Sequence, residues 1–185
     1  MNLRDLHIDD SWTLFLDRDG VINKKITEGY VTSLKEFEIL PGVLDSIRKL
    51  TTIFGRLIIV TNQQGIGKGL MTKADLHKIH RYLSETVMEA GGKIHAIYFA
   101  PNLAEEKSEM RKPGTGMALE AKKDFPEIEF SKSIMLGDSL IDMEFGRRAG
   151  MVTVFSEQKK GRGNINSDFT VNSLSDFCNT LAGAG

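Results

Sequence analysis

FLDRDGVIN, residues 15–23, is the stretch from which the fold of this 185-residue chain can be read. The apolar run Leu14 to Leu16 stops abruptly at Asp17, Arg18, Asp19 and Gly20. A buried strand that delivers polar groups to its carboxyl end and then turns at a glycine has this pattern. The event recurs: Leu57 to Val60 gives way to Thr61, and Ile134 to Leu136 gives way to Gly137 and Asp138. Further short apolar runs stand at Ile94 to Ala100, Met151 to Phe155 and Phe169 to Val171. Between the runs, Val43, Ile47 and Leu50 recur at helical spacing, as do Leu76, Ile79, Leu83 and Val87, and less regularly Met117, Leu119 and Ala121. Strands alternating with helices predict an α/β fold, a doubly wound parallel sheet. Helices are expected over 42–54, 72–90, 114–124, 139–149 and 174–181, with Thr72 starting the second and Pro113 opening the third. The segment 157–167 reads as an exposed loop, and no internal repeat is visible.

The length fits one domain spanning residues 1–185, with a core sufficient for stability without disulfides. With 24 basic against 25 acidic residues the net charge is −1, so no overall field favours a nucleic acid or an anionic membrane. Cys178 is the single cysteine, and no stretch has the length of a signal sequence or a membrane span. A soluble, cytoplasmic, monomeric protein is expected.

In a parallel sheet the carboxyl ends of the strands gather into one crevice, so polar residues far apart in sequence would share a site. Asp17 and Asp19 leave the first strand two residues apart. The first carboxylate can attack phosphorus, and the second can protonate the departing oxygen and later deprotonate water. A phosphate dianion would be repelled by both, which calls for a divalent ion. Asp138 and Asp142 supply the hard oxygens that magnesium prefers, although Asp138 could equally cap the helix that follows. Thr61 and Asn62 can donate to phosphoryl oxygens. Arg111 and Lys112 form a cation pair that suits the same anion. The GIGKG segment, residues 65–69, lacks the spacing of a nucleotide-binding P-loop, which leaves Lys68 as a loop residue. His7, His77, His80 and His95 fit no catalytic spacing, and His77 and His80 are expected at the surface or edge of the second helix.

FLDRDGVIN, IIVTNQQGIGKG, RKP and GDSLIDM resemble, in order, the four motifs of the haloacid dehalogenase superfamily of phosphatases. The nearest resemblance is to the branch of heptose bisphosphate and histidinol phosphatases. It implies Asp17 as nucleophile, Asp19 as acid and base, and Thr61, Asn62 and Lys112 as phosphate ligands. Magnesium would be held by Asp17, the backbone carbonyl of Asp19, and Asp138, with Asp142 supporting that shell. Gly29, Tyr30, Gln63, Gln64 and Arg111 would face the substrate. Members of this branch carry a Cys/His zinc loop before RKP, whereas APNLAEEKSEM, residues 100–110, has neither residue type, so no zinc is expected. There is no room for a large cap domain. The implied substrate is a small phosphorylated metabolite, a sugar bisphosphate such as D-glycero-D-manno-heptose 1,7-bisphosphate. Histidinol phosphate and a polynucleotide 3′-phosphate are the alternatives, the latter because the TNQxGIxxG string also resembles polynucleotide 3′-phosphatases, with a basic patch at Lys159, Lys160 and Arg162. A catalytically silent ligand-binding module is the non-enzymatic alternative, and the presence of both leading carboxylates argues against it.

Overall fold

The computed structural model describes residues 2–157 and 165–183, so most of the loop expected at 157–167, with its basic patch, lies outside the described residues. Six strands are formed: β1 (Thr13–Leu16), β2 (Arg56–Asn62), β3 (Ala96–Ala100), β4 (Ser133–Gly137), β5 (Val152–Ser156) and β6 (Phe169–Val171). All pair in parallel, in the order β3-β2-β1-β4-β5-β6. The helices are α1 (Val43–Leu50), α2 (Gln64–Gly67), α3 (Lys73–Glu89), α4 (Gly116–Asp124), α5 (Leu140–Ala149) and α6 (Leu174–Ala182).

Side-chain alternation along the strands divides the core into two layers. Leu14, Leu16, Leu57, Ile59, Ile134 and Leu136 point to one face, where they pack with Val43 and Ile47 of α1, Leu76, Ile79 and Leu83 of α3, and Phe177 and Cys178 of α6. Phe15, Ile58, Val60 and Met135 point to the other, against Met117, Ala118 and Ala121 of α4 and Phe145 of α5. Both faces of β1 are thus covered, as a parallel sheet requires, and all four of its residues are buried.

Several boundaries differ from the sequence-based expectation. β2 continues through Thr61 and Asn62, which pair with Phe99 and Ala100 of β3, so these two residues end the strand instead of following it. β3 begins at Ala96, because His95 turns its Nδ1 back to accept from the Leu57 amide. α4 begins at Gly116, and Pro113 lies in the turn before it, following a cis Lys112–Pro113 bond. α2 was not anticipated; its single turn holds too few apolar residues to show a period. Thr72 does cap α3, and its capping box with Asp75 closes both ways.

Chain order reverses between β1 and β4, which are neighbours although β2 and β3 lie between them in sequence. The crevice above that reversal is where an open α/β sheet binds ligands.

Candidate active site

Past Leu16 the alternation of β1 continues for two residues. Asp17 leaves on the α4 and α5 side and Arg18 on the α3 side, where it meets His80. Asp17 is 8 % exposed, and its Oδ1 accepts from the Arg18 amide at 2.8 Å. Lys112 is buried beside it. Its ammonium lies 2.9 Å from Asp17 Oδ1 and 2.6 Å from Asp142 Oδ1, and donates to the Val60 carbonyl at 2.8 Å. Burial pushes the Asp17 carboxyl up to about 7, with Asp142 and Asp138 adding to the rise and Lys112 opposing it. Lys112 itself moves up, because Asp142 and Asp17 outweigh the cost of its burial.

Asp19 is held by more donors. Arg18 Nη2 reaches both of its oxygens at 3.0 Å, Asn23 Nδ2 donates at 3.0 Å and Gln63 Nε2 at 2.9 Å. Burial would raise this carboxyl, but Arg18, Asn23 and Gln63 together hold it below the usual carboxylate range. Gly20 follows at φ +89°, and a Cβ there would stand 2.3 Å from Asp138 Oδ2. Only glycine permits both that turn and that approach.

Asp138 does not cap α5. Ser139 does, accepting from the Asp142 amide, while Asp142 Oδ2 reaches back to the Ser139 amide and hydroxyl. A capping box therefore fixes the carboxylate whose other oxygen grips Lys112. Asp138 faces Lys25 instead, whose ammonium lies 3.0 Å from each of its oxygens.

Asn62 clips Lys112 in place: its Nδ2 donates to the Lys112 carbonyl at 3.1 Å and its Oδ1 accepts from the Lys112 amide at 3.0 Å. Gln63 Nε2 contacts Thr61 Oγ1 at 2.9 Å as well as Asp19. Gln64 lies away from the pocket wall and joins two loops, donating to the Tyr30 hydroxyl and accepting from the Ala104 amide, both at 2.9 Å. Gly29, Tyr30 and Arg111 line the pocket mouth, and Arg111 Nη1 donates to the Asn102 carbonyl. Among the described residues no carboxylate pairs with Arg111; Glu106 of the acidic loop instead accepts from Asn102 and the Leu103 amide. Lys68 is not idle in its loop, since its ammonium stands 5.3 Å above the Tyr30 ring.

These groups surround a pocket of about 240 Å³, covered on one side by the 25–31 loop. Asp17, Asp19, Thr61, Asn62, Lys112 and Asp142 line it, and Asp138 shares an acidic cluster with Asp17 and Asp142. Three residues at the site stand outside the sequence motifs, without an expected role or away from their expected place. Lys25 carries no motif. Arg18 had a signal, a guanidinium at a core-facing position of an extended strand. His80 was expected at a surface or edge and is 8 % exposed, because the α3 stripe of Leu76, Ile79 and Leu83 carries it under the sheet edge to Arg18.

The acidic groups suit a hard divalent ion. Asp17, Asp138 and Asp142 offer oxygens that lie within 4.8 Å of one another, and the Lys25 ammonium already stands against Asp138 where a cation would be welcome.

A parallel sheet with Asp17 and Asp19 leaving its central strand, a threonine one residue before the end of β2, a buried lysine and an acidic pair after β4 is the architecture of a haloacid dehalogenase-type phosphatase. The comparisons narrow this class. The family model described as polynucleotide kinase 3 phosphatase matches residues 14–177. The chain is 40% identical over 133 residues to the D-glycero-alpha-D-manno-heptose-1,7-bisphosphate 7-phosphatase of Mycobacterium tuberculosis, covering 72% of this chain and 70% of that protein. It is 39% identical over 149 residues to the enzyme of the same name from Campylobacter jejuni, covering 80% and 84%. A crystal structure of D,D-heptose 1,7-bisphosphate phosphatase from B. bronchiseptica, complexed with magnesium and phosphate, superimposes with a TM-score of 0.84 at 28% identity, covering 92% of this chain and 98% of that one. The chain belongs to the heptose 1,7-bisphosphate phosphatase family of the haloacid dehalogenase superfamily. Among the described residues no helix is long and apolar enough to cross a membrane.

Proposed function

We propose that this chain hydrolyses a phosphate monoester of a small sugar bisphosphate, of the heptose 1,7-bisphosphate type, with magnesium as cofactor. The observation that carries the reading is Asp17, buried at the carboxyl end of the central strand with the Lys112 ammonium at 2.9 Å and Asp138 in the same acidic cluster. Magnesium would be held by Asp17, the carbonyl of Asp19, and Asp138, where it would neutralise charge on the phosphate and favour the ionised form of Asp17.

Asp17 attacks phosphorus, and the bond from phosphorus to the sugar oxygen breaks. That oxygen takes its proton from Asp19. Water then attacks the aspartyl phosphate, gives a proton to Asp19, and releases inorganic phosphate and the Asp17 carboxylate. The incoming dianion raises the carboxyl of Asp19, offsetting the pull of Arg18. Thr61 and Lys112 face the phosphoryl oxygens, while Asn62 acts by fixing Lys112. Arg111, with no carboxylate partner among the described residues, is available for the second phosphate, with Tyr30 and Lys68 near it.

The test is phosphate release from both anomers of heptose 1,7-bisphosphate, heptose 7-phosphate, histidinol phosphate and a 3′-phosphorylated oligonucleotide, with wild type, Asp17→Asn and Arg111→Ala. A bisphosphate should be the best substrate. Asp17→Asn should abolish turnover, and Arg111→Ala should erase the preference for bisphosphate over monophosphate. Full turnover by Asp17→Asn would remove the covalent route. An oligonucleotide as best substrate would replace the substrate class.

A further inference from the structure

Arg18 is the largest fully buried side chain among the described residues, and the way it uses its five N–H groups is unusual. Both Asp19 oxygens are met by one nitrogen, Nη2, at 3.0 Å each. Guanidinium and carboxylate more commonly meet as a parallel fork through two nitrogens. Here the second terminal nitrogen, Nη1, is turned away to His80 Nε2 at 3.1 Å, and Nε, buried, has no partner. Arginine has no acceptor, so the His80 Nε2 must be the bare nitrogen and the imidazole must be the neutral tautomer protonated on Nδ1. Phe37 closes one side of the guanidinium, with Cζ 5.6 Å from its ring centroid, and Phe99 packs edge-on to the His80 ring at 6.0 Å.

The consequence is mechanical. Without an acceptor at His80, the guanidinium is free to roll about its axis and present Nε and Nη2 to Asp19 as a parallel fork, which satisfies its stranded Nε and turns the carboxylate. With His80 in place that roll would break the Nη1 bond of a guanidinium that is itself fully buried. The Asp19 carboxylate is thereby kept in the orientation it shares with Asn23 Nδ2 and Gln63 Nε2.

We propose that His80, acting through Arg18, is a positioning residue that sets the angle at which Asp19 meets the leaving oxygen of the substrate. This rests on the reading of Asp19 as the acid of the proposed function. No proton moves along the chain; His80 supplies a lone pair, Arg18 a rigid link, and Asp19 alone exchanges a proton with substrate or water.

The experiment compares kcat/KM for an alkyl phosphate, the sugar bisphosphate, with that for p-nitrophenyl phosphate, whose leaving group needs no acid. His80→Phe keeps a ring against Phe99 and removes the acceptor. His80→Gln places an amide oxygen near the position of Nε2. His80→Phe should lose about 10-fold or more on the alkyl ester, in line with the penalty for a misplaced catalytic group, and less than about 2-fold on the aryl ester. His80→Gln should recover most of the loss. If His80→Phe does not fold, His80→Leu makes the same comparison, with thermal melts recorded for each variant. Asp19→Asn is the reference. If Asp19→Asn is selective for the alkyl ester while the His80 variants reduce both esters alike, or neither, the inference is overturned and the reading of Asp19 stands. If Asp19→Asn itself reduces both esters alike, that reading falls and takes the inference with it.

Discussion

At the scale of single residues the site is a problem of stored charge. Asp17 and Asp142 are buried around one ammonium, and removing that ammonium strands both. Lys112→Met should therefore destabilise the metal-free protein by about 3–5 kcal/mol, the penalty typical of leaving a buried ion without its partner. Urea unfolding in the presence of a chelator measures this, and an unchanged midpoint would contradict the arrangement. Lys25 poses the opposite case. Its ammonium occupies Asp138, yet its side chain is 50% exposed, so the pair is a weak one that a divalent ion can displace. Lys25→Ala should tighten magnesium binding to the substrate-free protein by up to about 5-fold, the equivalent of about 1 kcal/mol. Calorimetric titration reads this directly, and weaker binding in the variant would show that Lys25 does not compete. The residues legible in the sequence were those standing where an apolar run stops, such as Asp17, Thr61 and Asp138, because the break in hydrophobicity is itself local. Lys25 and His80 were illegible for a physical reason. Their partners lie 113 and 62 residues away, and nothing in their own neighbourhoods marks them.

Among the elements, α5 and α3 begin with the same device and use it differently. Ser139 with Asp142 and Thr72 with Asp75 are both closed capping boxes, each contributing roughly 1 kcal/mol. Asp142 also grips Lys112, whereas Asp75 pairs with exposed Lys78. Ser139→Ala and Thr72→Ala should thus cost similar stability, about 1 kcal/mol each, while Ser139→Ala alone lowers kcat. Thermal melts and steady-state rates on the two variants decide it. Equal kcat values would mean that the cap and the lysine are independent. The strand order and helix layers followed from runs and periods long enough to average over exceptions. The ends did not: Pro113 looked like a helix start from its chemistry, but Gly114 and Gly116 pack against Glu109 first, and α4 begins only after that contact.

For the molecule as a whole, metal, proton and fold are linked. In the metal-free protein Asp17 is raised to about 7 against an ordinary 3.8, so the folded state holds its proton more tightly than the unfolded chain does. Stability from this group is present in acid and is lost as pH rises from about 4 through about 7. A bound divalent ion favours the ionised carboxylate and removes that loss. The gain in melting temperature on adding magnesium should therefore grow between pH 5 and pH 8, as melts with magnesium and with a chelator will show. A constant gain would indicate that Asp17 is not a ligand. The reversal of strand order has its own bearing on how the chain comes off the ribosome. β1 emerges early with Asp17 at its tip, but β4, its neighbour on one side, and the Asp138 and Asp142 that complete the cluster are synthesised only after β2, β3 and α4. Until β4 is made, Asp17 stands without the two carboxylates, Asp138 and Asp142, that share its cluster. The acidic cluster is complete only when β4 pairs with β1, so recovery of turnover during refolding should not precede that pairing.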